Sequence, residues 1–399
     1  MTLRISVLGV GAQGSVIAKL LSDSPEVSEI VCADVNVERM KRLRDRLRSE
    51  KITIQQVDAA KREDLIQAAK GTDLVVNALP GAFNLRVMDV ALASGSHYMD
   101  LACDYPVLES ISEQLRLDEK WKSAGLAAVI EMGATPGVSN VMARYASDQL
   151  DAVERIRVRC GWRDLGETGG IVKPWSPGWS PETALLDYAT EPIIFEDGQF
   201  KEVPIFSGVE KYEFPSPVGE AILSWHLHEE PVTLAKFIGK GVKHVDFKYP
   251  VDMIAGALIK MNFASRTPVD VKGVKVAPLD VFLKLAPEAP ETVEEADKLA
   301  QEGQPGRVGC LIVEVSGEKE GKKVTESIYT TTDTREMFRQ FSTTNVEVAL
   351  PATVTALMII KGDLNVKGVL APECLPPKPI LAELSRKGAR FHEKVVGEL

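Results

Sequence analysis

The sequence predicts an α/β protein: a doubly wound parallel sheet followed by a second, α+β domain whose sheet is mainly antiparallel. Three observations carry that expectation. An apolar strand from Ile5 runs into Gly9-Val10-Gly11-Ala12-Gln13-Gly14, and this turn opens a helix bearing Val16, Ile17, Leu20 and Leu21. Strand and helix patterns then alternate through the first third of the chain, as a parallel sheet demands. After Gly137 the character changes, and from Val153 the strands alternate in the manner of hairpins.

Taken in order, Ile5 to Gly9 is the first strand and Glu29 to Asp34 the second, with the charged stretch Val37 to Arg48 as an exposed helix after it. Ile52 to Val57 is a short third strand and Arg62 to Lys70 a helix. Asp73 to Asn77 is nearly all apolar, which places it centrally, covered on both faces. The turn Asn77-Ala78-Leu79-Pro80 leads to a helix from Phe83 to Ala93, a strand His97 to Ala102, a helix Pro106 to Ser123 and a sixth strand, Leu126 to Ile130. A helix follows Gly137 and runs to Leu150, and Val153 to Trp162 alternates as a strand. Trp162 to Thr183 is rich in Gly, Pro, Trp and Ser and reads as a long functional loop. Further strands are expected at 201–205, 209–214 and 244–249, and a hairpin pairs Leu311 to Val315 with Val324 to Thr330. From Glu347 the chain is helical again, at Leu350 to Lys361 and Ile380 to Lys387. The expected domains are 1–137, 138–345, and a C-terminal helical segment 346–399 that returns to the first.

Composition bounds the class. At 399 residues two domains are expected, and 45% hydrophobic with 26% charged residues supplies buried cores without general disorder. A net charge of −10 argues against nucleic acid and anionic membrane as partners. The five cysteines are scattered and include no C-x-x-C pair, which fits a reducing compartment and no structural zinc. The first strand begins almost at Met1 and no apolar run reaches membrane length, so a cytoplasmic location is expected.

In an open parallel sheet, ligands bind beyond the carboxyl ends of the strands, near the switch in strand order. That rule selects Gly9 to Gly14, Asp34, Asp58, Asn77 to Pro80, Asp100 and Glu131. In the glycine turn, Gly9 permits the bend, Gly11 lets backbone approach a pyrophosphate, and Gly14 packs the helix on the strand. The helix N-terminus then faces the phosphates with unpaired N–H groups. Asp34 follows Gly14 at the spacing where a carboxylate bonds a ribose 2′-hydroxyl and repels a 2′-phosphate, so NAD is favoured over NADP. Asp58 is placed to accept from an adenine amino group or to cap the next helix. Asp100 and Glu131, each closing a strand beside the expected nicotinamide, are candidate proton acceptors or caps. Cys103 reads as a small buried residue. The densest polar cluster is Trp225-His226-Leu227-His228-Glu229-Glu230-Pro231. In a strand its two histidines would share a face, and His228 is a candidate for proton transfer, with His226 and Glu229 for substrate binding. Their spacing matches no strong zinc pattern, and no metal is expected. A substrate carboxylate would want an arginine, for which Arg144, Arg163 and Arg266 are candidates.

The segments Val7 to Gly14, Val75 to Pro80 with Phe83 and Asn84, Tyr98 to Ala102, and Gly133 to Gly137 with Asn140 together resemble the saccharopine dehydrogenase family. Glu202 to Pro204, Lys272 and Gly273 with Val276 to Leu285, and Gly368 to Glu373 resemble its lysine 6-dehydrogenase-like branch. The resemblance runs end to end. It implies a Rossmann domain completed by C-terminal helices, a central substrate and oligomerisation domain, a homodimer or larger homo-oligomer, and NAD(P)-linked oxidation of an amino-acid amine. Gly9, Val10, Gly11, Ala12, Gln13, Gly14, Asp34 and the Ala78 to Pro80 turn fall on the family's cofactor positions, and Tyr98 lies beside the substrate. The leading expectation is oxidation of the lysine ε-amine to allysine. A saccharopine- or opine-type dehydrogenase acting on a secondary amine is the alternative, and a non-catalytic NAD sensor the reading from another class. The histidines at 226 and 228 depart from the branch, which is glycine-rich there, and leave the substrate open.

Overall fold

The computed structural model describes residues 2–165, 175, 180–286, 306–343 and 346–397. Most of the expected Trp162 to Thr183 loop lies outside the described residues, although its first part is strand. Two sheets share one core. The first is wholly parallel and contains β1 (Leu3–Leu8), β2 (Val27–Asp34), β3 (Ile52–Gln56), β4 (Leu74–Asn77), β5 (His97–Asp100) and β6 (Ala127–Val129). Every residue of β4 is buried, as its apolar sequence demands of a strand covered on both faces. The helix expected over Pro106 to Ser123 is two helices, Val107–Leu115 and Asp118–Ala124.

The second sheet contains β7 (Ala152–Leu165), β8 (Ile193–Glu196), β9 (Gln199–Glu202), β10 (Glu210–Phe214), β11 (Gly219–Trp225) and β12 (His244–Pro250). A separate exposed hairpin, β13 (Val269–Val271) and β14 (Val274–Val276), precedes β15 (Gly306–Lys319) and β16 (Lys322–Asp333), the long hairpin of this sheet. All its pairings are antiparallel except that of β12 with β7.

The C-terminal segment departs most from expectation. The helix Val346–Ile360 lies against the helix Ala12–Ser22 of the nucleotide domain, but the chain then supplies β17 (Gly368–Leu370) and β18 (Phe391–Gly397). β17 extends the first sheet to the order β17-β6-β5-β4-β1-β2-β3, and β18 pairs with β16 in the second. The tail is a clasp between sheets, not a helical return to one of them. Strands of three to seven residues flanked by helical patterns carry too little periodicity to be read alone. One hydrophobic cluster accordingly runs from Ile5 and Val76 through Val141 and Val158 to Val313 and Ile359, crossing both sheets. The strand order reverses between β1 and β4, so the carboxyl ends at Gly9 and Asn77 flank the crevice.

Candidate active site

The nucleotide turn is built by contact distances. Gly9 has φ +83°, and a Cβ there would lie 2.8 Å from the Ala78 carbonyl oxygen. A Cβ on Gly14 would sit 1.8 Å from the Gly9 carbonyl oxygen, so strand and helix meet only through glycine. Gly11 differs: a Cβ there would meet no protein atom within 4 Å, which leaves its face open for a ligand. The helix beginning at Ala12 aims its first N–H groups at this space, and the enclosed Gln13 Oε1 has no hydrogen-bond partner among the described residues. Glycine turn, helix end and the open face of Gly11 fit a dinucleotide pyrophosphate.

Asp34 Oδ2 accepts from Val10 N–H and Oδ1 from Asn36 N–H, each at 2.8 Å, which locks the carboxylate beside the turn, with Arg39 Nη1 3.9 Å away. Asp58 Oδ1 accepts from Ala60 N–H at 3.0 Å and closes the turn before the helix Arg62–Ala69. Asn77 donates to Asn84 Oδ1 and Tyr98 Oη at 2.8 and 3.1 Å and accepts from Leu79 N–H, fixing the Ala78-Leu79-Pro80 turn against Gly9.

Two expected chemical residues stand behind the site. Asp100 is fully buried; its Oδ2 accepts from Tyr98 Oη (2.8 Å) and Gln114 Nε2 (2.7 Å), and its Oδ1 from Glu131 N–H (2.6 Å). Burial raises its carboxyl to about 7 against those three donors. With its oxygens so occupied, Asp100 is a positioning residue for Glu131 instead of the proton acceptor. Tyr98 is likewise buried, with its hydroxyl committed to Asp100 and Asn77, and is not a substrate contact. Arg144 is also corrected: Nε donates to the Glu373 carbonyl at 2.8 Å and Nη2 to the Phe237 carbonyl at 2.6 Å. Its guanidinium ties elements together and is unavailable to a substrate carboxylate. Arg266 pairs with Glu182 at the surface, and Arg163 lies on β7 with an exposed side chain.

Glu131 is the opposite case. It is fully buried, has φ +60°, and neither carboxyl oxygen has a hydrogen-bond partner among the described residues. A left-handed backbone costs a non-glycine residue about 1 kcal/mol or more, and an orphaned buried carboxyl costs further. The Asp100 carboxylate holds the strained N–H, and strain concentrated with an unsatisfied group marks a functional position. Burial, with Glu229, Asp100, Glu373 and Glu230 close by, drives its carboxyl well above the usual range.

His226 and His228 lie in the link between β11 and the helix Glu230–Phe237, not in a strand. Both rings still meet β12: His228 stacks on Phe247 with centroids 3.9 Å apart, and His226 on Tyr249 at 4.9 Å. His228 Nδ1 bonds Glu230 Oε2 and lies 3.3 Å from Glu229 Oε2. Burial pulls this imidazole down, but Glu230, Glu229 and Asp187 outweigh it and lift it to about 9. His226, packed edge-on to Tyr188 at 4.4 Å, is pushed by burial to about 3 and stays neutral. Glu230 Oε1 accepts from the Ser139 hydroxyl at 2.7 Å, and Glu229 Oε1 from Cys103 N–H at 3.3 Å. Burial pushes the Cys103 thiol well up, as suits a packing residue. The ligand atoms of His228, Glu229 and Glu230 lie within 4.8 Å of one another, close enough to hold a cation.

Two acids join the cluster unannounced. Asp187 on the helix Pro181–Ala189 bonds the Tyr105 hydroxyl, and burial raises it to about 7. Glu373 Oε2 accepts from Asn140 Nδ2 at 3.0 Å while Oε1 has no partner among the described residues, and burial raises it also to about 7. Nothing local in the sequence singled out Asp187. Glu373 and Asn140 stood in segments that carry the family resemblance. A groove lined by Met88, Leu92 and Trp121 lies among helices of the nucleotide domain.

A nucleotide crevice at the switch of a parallel sheet, facing buried acids and a histidine across the cleft, defines an NAD(P)-dependent oxidoreductase of amine substrates. The chain belongs to the saccharopine dehydrogenase family: the saccharopine dehydrogenase NADP binding domain matches residues 5–129 and the saccharopine dehydrogenase C-terminal domain residues 133–389. It is 26% identical to a carboxyaminopropylagmatine dehydrogenase of Synechocystis, over 99% of this chain and 98% of that one. To a carboxynorspermidine synthase of Vibrio alginolyticus it is 25% identical, over 96% and 95%. Its fold is similar to that of apo saccharopine dehydrogenase (L-Glu forming) from Saccharomyces cerevisiae, with TM-score 0.70, 15% identity, and 99% and 100% of the two chains covered. A homospermidine synthase of Legionella pneumophila in complex with NAD also gives a TM-score of 0.70 at 15% identity, covering 99% and 92%.

Proposed function

We propose that this protein interconverts a carboxy-substituted polyamine, a secondary amine, with the imine formed from a primary amine and an aldehyde. The observation that carries this is charge. Asp100, Glu131, Asp187, Glu229, Glu230 and Glu373 form a buried or nearly buried acid group whose internal cation is His228. Lysine presents one reacting amine to such a pocket, and that amine must be neutral to yield hydride. A polyamine brings further ammonium groups that the surplus carboxylates can hold. The secondary-amine alternative is therefore preferred to lysine, in agreement with the names of the two relatives.

In the synthetic direction amine and aldehyde lose water to form the imine; its carbon then takes hydride and its nitrogen a proton, giving the secondary amine. When bound, the reduced nicotinamide supplies the hydride. His228, cationic in the free protein, donates the proton, and Glu131 and Glu229 hold the nitrogen while it carries positive charge. NAD is the proposed cofactor because Asp34 closes β2 beside the turn, with NADP as the competitor. We also propose a cytoplasmic protein that is a homo-oligomer. The latter rests on exposed Met253, Met261, Val269, Val271, Val274 and Leu285, a concentration of apolar side chains unusual on a monomer. Size-exclusion chromatography with light scattering checks it, a monomer at micromolar concentration counting against it.

The test of function is oxidation of NADH and NADPH by the purified protein with agmatine or a short diamine plus an aldehyde bearing an α-amino acid head, against NAD reduction with lysine. Turnover of lysine alone overturns the proposal, and no turnover of any amine favours the sensor reading.

A further inference from the structure

Aromatic side chains continue from His226 along the second sheet. Tyr249, which stacks on His226, packs on Trp162 with ring centroids 4.8 Å apart, and the Arg307 guanidinium carbon lies 5.5 Å from the Trp162 ring centre. These contacts make a continuous aromatic wall from the histidines to an arginine. Arg307 is opposite Asp164 in the β15–β7 register, and its Nε donates to Asp164 Oδ1 at 2.9 Å. Nη1 and Nη2 have no hydrogen-bond partner among the described residues, so the fork that matches a carboxylate remains available. With side chains 40% and 44% exposed, the Arg307–Asp164 pair contributes about 0–1 kcal/mol to stability, which gives the fold little need of it.

Glu347 enters the same space from the first turn of the helix Val346–Ile360. Its Oε1 stands 3.9 Å from where a Cβ on Gly309 would lie, so the missing side chain of that strand residue leaves room beside it. Gly309 lies two residues from Arg307 on β15 and opposite Trp162 on β7, and Arg307 acts electrostatically on both Glu347 and Tyr249. One end of this wall therefore carries a surplus of acids around His228, and the other carries the Arg307 guanidinium with the Glu347 carboxylate nearby.

We propose that Arg307 and Glu347 form a subsite for an α-amino carboxylate, with Arg307 binding the carboxylate, Glu347 the α-ammonium, and Trp162 and Tyr249 lining the intervening methylenes. This deepens the reading above and rests on the acid group holding the distal amine. It supplies an arginine where Arg144 and Arg266 are committed to other partners, and it assigns specificity for an amino-acid head to a place away from the reacting carbon.

The experiment is calorimetric binding of three unreactive probes to the full-length protein saturated with reduced cofactor. L-ornithine carries both head groups, putrescine is the same molecule without the carboxylate, and δ-aminovalerate lacks only the α-amine. Arg307→Met is expected to weaken L-ornithine by about tenfold or more, the loss of one charge-assisted pair, and to leave putrescine within about twofold. Glu347→Gln is expected to weaken L-ornithine similarly and leave δ-aminovalerate unchanged. Putrescine binding by Arg307→Met, δ-aminovalerate binding by Glu347→Gln, and thermal melting of both show that each variant is folded. Equal effects on the paired probes, no effect on either, or wild-type protein that binds none of them overturns the subsite. Failure of turnover with agmatine or diamines, while this probe pattern holds, refutes the polyamine reading and leaves the subsite standing.

Discussion

Replacing Glu131 by Gln isolates the most buried member of the acid group. Its carboxyl is fully enclosed, lacks hydrogen-bond partners among the described residues, and is driven well above the usual range by burial and by Glu229, Asp100, Glu373 and Glu230. The free protein therefore favours the neutral carboxyl, and Gln reproduces its shape without the option of ionising. Folding stability at pH 7 is expected to change by less than about 1 kcal/mol, because no ionised group is removed. Its pH dependence does change. A carboxyl raised in the folded state contributes stability that is fully present below its unfolded value and lost as pH rises through the folded value. Glu131→Gln should flatten that alkaline decline. The entry of an ammonium reverses the balance, since a cation favours the carboxylate; binding should release about one proton from this residue. The charge-assisted hydrogen bond so formed contributes about 1.5–3 kcal/mol, or roughly 10- to 150-fold in Kd. Titration calorimetry with an amine substrate, repeated in buffers of different ionisation enthalpy, reads affinity and proton release together. A variant that binds as tightly and releases as many protons as wild type would show that Glu131 does not meet the amine.

Gly11→Ala places a methyl where no protein atom lies within 4 Å, so the melting temperature should hold while dinucleotide affinity, followed by nicotinamide fluorescence, falls by about tenfold or more through contact with the pyrophosphate. Asp34→Ala removes the charge that repels a 2′-phosphate and leaves Arg39 to attract one, so kcat/KM for NADP relative to NAD should rise by about tenfold or more; an unchanged ratio rejects Asp34 as the discriminator. His228, lifted to about 9, holds a proton through neutral pH; the dehydrogenation rate should climb toward pH 9 as the base is freed, and His228→Asn should abolish that limb. Its ion pairing stabilises the fold below its ordinary value near 6.5 and is lost as pH rises through about 9, so wild type should melt progressively lower over that window and His228→Asn should not. Arg144→Met should lower stability by about 2 kcal/mol through two lost bonds to carbonyls, measured by urea unfolding, with KM within about twofold of wild type.

The nucleotide half of the site was legible in the sequence because its chemistry is local. Gly9, Gly11 and Gly14 serve a turn, a bare backbone face and a close packing within one strand and one helix, and Asp34 closes the adjoining strand. The buried acid group assembles over distance: Glu131 from just past β6, Asp187 from a helix, Glu229 from a loop, and Glu373 from just past β17. No periodicity relates these positions. An acid at a strand end also looks alike whether it is solvated, bonded or orphaned. Asp100 and Glu131 appeared equivalent in sequence, yet three donors occupy the first while none among the described residues meets the second. The difference comes from Tyr98 and Gln114, which satisfy Asp100 from its own strand and from the helix Val107–Leu115, and from the left-handed backbone that turns Glu131 away from them. Chemical competence here is a property of what a carboxylate lacks, and that is set by the packing of distant segments.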